Sequence, residues 1–292
     1  MTNNKLLRSS GLGLAALGLV FSAAGVSAEA HNPGAKFQPN NQLEVELNDE
    51  KKLAIVEKKV IAVKTKIEDI EASLGEAPLT AAEVEMYEKY LEDINPLLNR
   101  LNAAENQLDA KVKNQSNPDP IAEEIYGWIN EVRSKISVVK ETMESQLADT
   151  MSSSGEVPEG LATAENPKFK IGSQAIIEAD HMPGMKGALA TIKGAYDTTA
   201  YSVTYYPTTG GEPVKDHKWV IHEELENPGE EPLEPGTEVT LNADHMKGMD
   251  GATAIIESAV DTTVYMLDFT TTYGEKVENH KWITESELKS IE

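Results

Sequence analysis

The strongest constraint on how this chain can fold is a duplication. Asp180-His181-Met182-Pro183-Gly184-Met185 returns 64 residues later as Asp244-His245-Met246-Lys247-Gly248-Met249, within repeats that fill the last two-fifths of the sequence. A unit repeated in this way is one folded module used twice. Each hexapeptide predicts a tight turn. Proline in the second position presets φ, and glycine in the third accepts a positive φ, as a type II turn requires. The second copy keeps Gly248 and replaces the proline with Lys247. Such a turn brings its first and fourth residues within about 7 Å. Met182 and Met185 are therefore expected to present two thioethers to one point, and Met246 and Met249 to do the same. Four of the nine methionines lie in these two turns, and the chain has no cysteine.

The N-terminus reads as an export signal. Lys5 and Arg8 precede a short apolar run from Leu12 to Phe21, and small residues offer cleavage after Ala28 or Ala30. Cleavage after Ala30 would expose His31, and an amino-terminal histidine can chelate Cu(II). Without a cysteine there is neither a lipid-accepting site nor a disulfide. The expectation is a secreted protein with no stable membrane insertion after processing. The formal net charge is -23, which disfavours nucleic acid and anionic lipid and attracts cations and basic partners. The sequence contains no nucleophile elbow, phosphate-cradling glycine loop or metalloprotease helix, so a binding protein is expected rather than an enzyme.

After a signal peptide (1–28) and a disordered lead-in (29–41), a helical region is predicted over 42–149. Leu53, Val56, Val60, Val63, Ile67, Ile70 and Leu74 form one seam at alternating spacings of three and four. Val84, Tyr87, Leu91, Ile94, Leu98, Leu101, Leu108 and Val112 form a second, opened by a Thr80–Glu83 capping box and expected to kink or split at Pro96. The third runs Ile121, Ile125, Trp128, Val132, Ile136, Val139, Met143 and Leu147, with Asp119 as N-cap and Pro120 as first helical residue. Three such segments predict an antiparallel three-helix bundle, whose stripes are either core or a docking surface. A flexible linker is expected at 150–170 and another at 228–235. The repeats, 171–227 and 236–292, alternate with period two. Ala175, Ile177 and Ala179, then Ala188, Ala190 and Ile192, then Tyr201, Val203 and Tyr205 each have a counterpart in the second copy. With a fourth short strand each, the units are expected to form two tandem small SH3-like β-barrels.

The ordered set Ala-Asp-His-Met-x-Gly-Met-x-Gly-Ala, Asp-Thr-Thr, a tyrosine-bearing strand, His-Lys-Trp and a closing Glu-Leu occurs in both copies. It resembles the repeated domain of the YdhK family of exported bacterial proteins, from about Ile171 to Leu225 and Gly236 to Leu288. The family includes lipoproteins associated with copper resistance and copper binding, so the resemblance implies copper handling outside the membrane. The chain departs from that pattern in lacking the lipid-accepting cysteine and in carrying a long helical region.

The residue types agree with that chemistry. Thioether sulfur with imidazole suits Cu(I) better than Zn or Mg, and outside the cytoplasm a free thiol tends to oxidise. The candidate ligands are His181, Met182 and Met185 in one turn and His245, Met246 and Met249 in the other. His217 and His280, each before Lys-Trp, are either further donors or packed histidines. Asp180 and Asp244 either orient the adjacent histidine or stabilise the turn. The methionines have a purely structural alternative as plugs of a small core. A reading of another class is a module that binds cell-wall polymer or a surface partner, with Tyr206 and Tyr273 as exposed aromatics and the helices as a docking element.

Overall fold

The computed structural model of the chain describes residues 41–113, 119–229 and 232–291, with side chains from Glu50 onward. The expected export signal and its cleavage sites, and the lead-in as far as residue 40, lie outside the described residues. Three 32-residue helices come first: α1 (Asn41–Ala72), α2 (Ala81–Val112) and α3 (Pro120–Met151). The predicted starts are present. Thr80 and Glu83 form a reciprocal capping box, and the Asp119 carboxylate accepts from Ile121 N with Pro120 as the first residue. α2 runs through Pro96 as one helix. Its buried positions, Ile94, Leu97, Leu101, Ala104 and Leu108, keep the heptad spacing beyond the proline, so Leu97 takes the place expected for Leu98. In the first turns of α3, Ala122 and Ile129 are buried where Ile121 and Trp128 were expected. The stripes of all three helices meet in one apolar core. Full burial of each Leu, Ile or Val there contributes about 1.5–3 kcal/mol. No described helix is long and apolar enough to cross a membrane.

An antiparallel sheet region follows: β1 (Ala162–Thr163), β2 (Gln174–Ile177), β3 (Leu189–Tyr206), β4 (Val214–Ile221), β5 (Glu238–Thr240), β6 (Thr253–Thr270), β7 (Lys276–Thr284) and β8 (Leu288–Ser290). The eight strands form one sheet that is not closed, with the path β5-β6-β3-β2-β8; β1 and β4 also pair with β3, and β7 pairs with β6. This corrects the expectation of two separate SH3-like barrels. The strands read as two per repeat, before and after Asp-Thr-Thr, are single 18-residue strands, β3 and β6, and they pair with each other from Ala190–Phe269 to Tyr206–Thr253. β2 of the first repeat pairs with β8 of the second. The repeats are thus one fused body.

Two register shifts explain why periodicity broke the long strands. One lies between Ile192 and Gly194, the other between Ser202 and Val203. Each bulge inserts a residue and reverses which side chains face inward, so the period-two pattern changes phase. Between the shifts, polar side chains are buried and paired: Ser202 and Ser258 share a hydrogen bond of 2.7 Å, and Thr198 donates to Glu223 at 2.7 Å.

The stretch expected as a flexible linker, 150–170, is tied to the sheet. Ser153 N donates to Glu278 O at 3.0 Å and its hydroxyl to Asn279 O at 2.6 Å, while Glu278 N donates to the Ser152 hydroxyl at 3.1 Å. The connection between α1 and α2 also reaches the second repeat, where Lys247 N donates to Leu79 O at 3.2 Å.

The turn glycines give a direct check on this packing. Gly172 and Gly184 have φ near 83° and 84°, but only Gly184 is packed, with the Tyr273 ring where a side chain would sit. Gly172→Ala is expected to cost about 1 kcal/mol for the left-handed backbone alone, and Gly184→Ala at least about 2 kcal/mol, in urea unfolding. Equal losses would show that Tyr273 does not close over the turn.

Candidate metal centre

Both predicted turns form. Met185 N donates to Met182 O at 3.4 Å and Met249 N to Met246 O at 3.1 Å, with Gly184 at φ 84° and Gly248 at φ 86°. The two methionines of each turn differ in exposure to the cavity, although Met246 belongs to the apolar cluster that holds Met185 and Met182 packs against it. Met185 and Met249 are fully buried in apolar clusters, while Met182 and Met246 line a cavity. A turn fixes the separation of its end backbones, not the direction of their side chains. Here the chain turns again at once, with Ala188 N bonding Met185 O and Ala252 N bonding Met249 O, and the last residue of each hexapeptide is buried in the core.

The cavity unites what the sequence placed in two sites. It has a volume of about 650 Å³ and is lined by His181, His217, Met182 of the first repeat and His245, His280, Met246 of the second. The imidazoles of His217 and His245 stand 6.2 Å apart between ring centres. Fusion of the sheet brings the two copies of the turn and the two His-Lys-Trp strands to one place.

Two carboxylates that sequence reasoning missed hold the turn histidines, and each comes from the opposite repeat. His181 Nε2 bonds Glu287 Oε1 at 2.7 Å, and Trp219 Nε1 donates to Glu287 Oε2 at 2.8 Å. His245 Nε2 bonds Glu224 Oε1 at 2.8 Å, and Trp282 Nε1 donates to the same oxygen at 3.0 Å. Backbone amides of Thr284 and Ile221 complete the two sets. The available signal was the repeated Glu-Leu, read only as a closing turn. Asp180 and Asp244 line the cavity but are exposed, and Asp180 pairs with Lys186 at 3.4 Å. Orientation of the histidines falls to glutamates instead.

This arrangement sets which nitrogens are available. Burial alone would raise Glu287, but the bond and charge of His181, the Thr284 amide and Trp219 outweigh it and hold the carboxyl down to about 2. With Nε2 of His181 turned to that carboxylate, its Nδ1 is buried and has no partner. His217 Nε2 is likewise buried and unpartnered. Burial pushes His217 down to about 3, with His245, His181 and His280 acting in the same direction. His280 Nδ1 donates to the Met151 carbonyl at 2.8 Å, which leaves Nε2 as its lone-pair nitrogen. Burial lowers His280 to about 4, against the opposing pull of that carbonyl. A carboxylate or carbonyl behind an imidazole is the usual support of a metal-ligating histidine. Among the described residues, no three His, Cys, Asp or Glu side chains are gathered so as to hold a metal ion by themselves.

A family model described as a protein of unknown function, DUF1541, matches residues 171–222 and again 235–285. The uncharacterised protein YdhK of Bacillus subtilis (strain 168) is 62% identical over 140 residues, which make up 48% of this chain and 68% of YdhK. The chain belongs to the YdhK family. A crystal structure of the DUF1541 family protein YdhK from B. subtilis shares 59% identity, covering 49% of this chain and 98% of that one, with a TM-score of 0.48. A solution NMR structure of the YdhK C-terminal domain from B. subtilis shares 62% identity over 41% of this chain and 92% of that one, with a TM-score of 0.40. The DUF1541 model covers each repeat separately and leaves the three helices outside it.

The crossed carboxylates predict a stability signature in the metal-free chain. Glu224→Gln and Glu287→Gln should each cost about 1–3 kcal/mol at neutral pH by chemical denaturation. The depressed Glu287 contributes stability fully present above its ordinary value of 4.5 and lost as pH falls through about 2. The deficit of Glu287→Gln should therefore shrink across that window, and a deficit independent of pH would contradict the ionic role.

Proposed function

We propose that the chain is an exported, non-enzymatic copper protein that holds one Cu(I) per molecule in the cavity between the repeats, for sequestration or delivery. The observation that carries this reading is the convergence of four repeat histidines and two repeat methionines on one cavity. It is supported by buried His181 Nδ1 and His217 Nε2 atoms that lack partners, since an unsatisfied buried nitrogen is costly unless something binds it. The imidazoles are not grouped as a closed nitrogen site of the kind zinc takes. A soft ion drawing on thioether and imidazole together suits the donor set better. Met182 and Met246 are the sulfur donors of this reading; Met185 and Met249 are core. His181, His217, His245 and His280 are the nitrogen donors, with Glu287 and Glu224 behind His181 and His245. The bound ion would supply no reaction; the protein's part is to present donors and exclude water.

The wall-binding alternative rests on exposed aromatics. Tyr206 is 53% exposed, but Tyr273 is partly buried and donates to Pro183 O at 3.3 Å. Only one of its two aromatics is thus available.

Competition with a chromogenic Cu(I) chelator tests the proposal. The chain should retain Cu(I), and Met182→Leu with Met246→Leu should weaken retention by at least about tenfold, or 1.4 kcal/mol. Met185→Leu with Met249→Leu should leave retention unchanged, at a stability cost below about 1.5 kcal/mol per site. No retention by the parent chain, or retention indifferent to Met182 and Met246, would overturn it. Sedimentation with isolated cell walls, unaffected by any of these changes, would favour the wall module.

A further inference from the structure

We infer that Met151, the last residue of α3, is a third thioether donor of this site, so that the helical region completes the metal centre. The inference rests on the copper reading above and adds a ligand from outside the repeats. Three observations meet at this residue. Met151 is 4% exposed and lines the same cavity as the four repeat histidines, Met182 and Met246. Its carbonyl accepts from His280 Nδ1 at 2.8 Å, which places its backbone against one of those imidazoles and directs the lone pair of that ring to Nε2. The chain directly after it is fastened to β7 by Ser152 and Ser153, through the bonds to Glu278 and Asn279. The helix terminus is therefore held beside the cavity at several points.

The pseudo-symmetry of the site shows what the helix contributes. His217 and His280 are equivalent positions of the two repeats. His280 is oriented through Nδ1 by the helix end, and the nitrogen of His217 that is buried without a partner is its Nε2. The helical region thus acts on the second half of the cavity, and the residue that supplies the carbonyl, Met151, both lines the cavity and belongs to the apolar cluster beside it. A residue serving only as packing is represented in the same helix by Met143, which is fully buried and does not line the cavity. Three thioethers from α3 and the two repeat turns, together with imidazole, form a donor set that a soft monovalent ion prefers over Zn or Mg.

The test uses the full chain labelled with ¹³C at the methionine methyls and titrated with silver(I), a redox-inert stand-in for Cu(I). Methyl resonances are assigned from single Met→Leu variants. The expected result is that Met151, Met182 and Met246 shift together up to one equivalent, while Met143, Met185 and Met249 stay in place. In parallel, Met151→Leu should weaken retention against the chelator and Met143→Leu should not. Shifts of Met182 and Met246 with Met151 unmoved, or unchanged retention in Met151→Leu, would overturn the inference and leave the copper reading standing. If none of the cavity methyls moves, the copper reading falls and the inference with it.

Discussion

Each repeat withdraws a carboxylate from water at the seam, wholly for Glu224 and in part for Glu287, and the donors that make this tolerable come largely from the other repeat. Glu224 is 4% exposed and takes His245 and Trp282; Glu287 takes His181 and Trp219. Removing a carboxylate from water costs several kcal/mol unless attraction and hydrogen bonds offset it. Neither repeat contains both halves of its own offset. The exchange therefore ties the two copies together and holds the two turn histidines in fixed orientations.

The long β3–β6 pairing makes that exchange geometrically possible. Two 18-residue strands running antiparallel place each repeat's closing Glu-Leu beside the other's Asp-His-Met turn, and the β2–β8 pair secures the junction. Duplication of a module with one half-site has thus produced a whole cavity instead of two copies of a small one. The helices then break the symmetry, since α3 ends at Met151 against His280 and its successors are bonded along β7.

What could be read in the sequence was local. Helix starts follow from Thr80–Glu83 and Asp119–Pro120, and the first seam is buried as expected from Leu53 to Ile70. The Pro183-Gly184 turn is of the expected kind, because its residues dictate their own dihedrals. Relations over long distance were not legible. A bulge at Lys193 in β3 and one at Glu257 in β6 change the phase of alternation inside what prove to be single strands. The inward course of Met185 depends on a second turn packed under it, and the carboxylate behind His181 lies 106 residues away. Met151 fell inside the stretch read as a linker, although α3 runs through it, and nothing in its own neighbourhood tells a cavity from a core.

The central claim is that the two repeats share one soft-metal site. Native mass spectrometry of the full chain in a Cu(I) buffer set by a competing chelator tests it most directly. The account predicts a single tightly held ion per chain, reached without a half-filled stage and absent when the chain is unfolded. Two ions filling with equal affinity would mean that each repeat binds alone, and no retained ion would mean that the cavity is not a copper site.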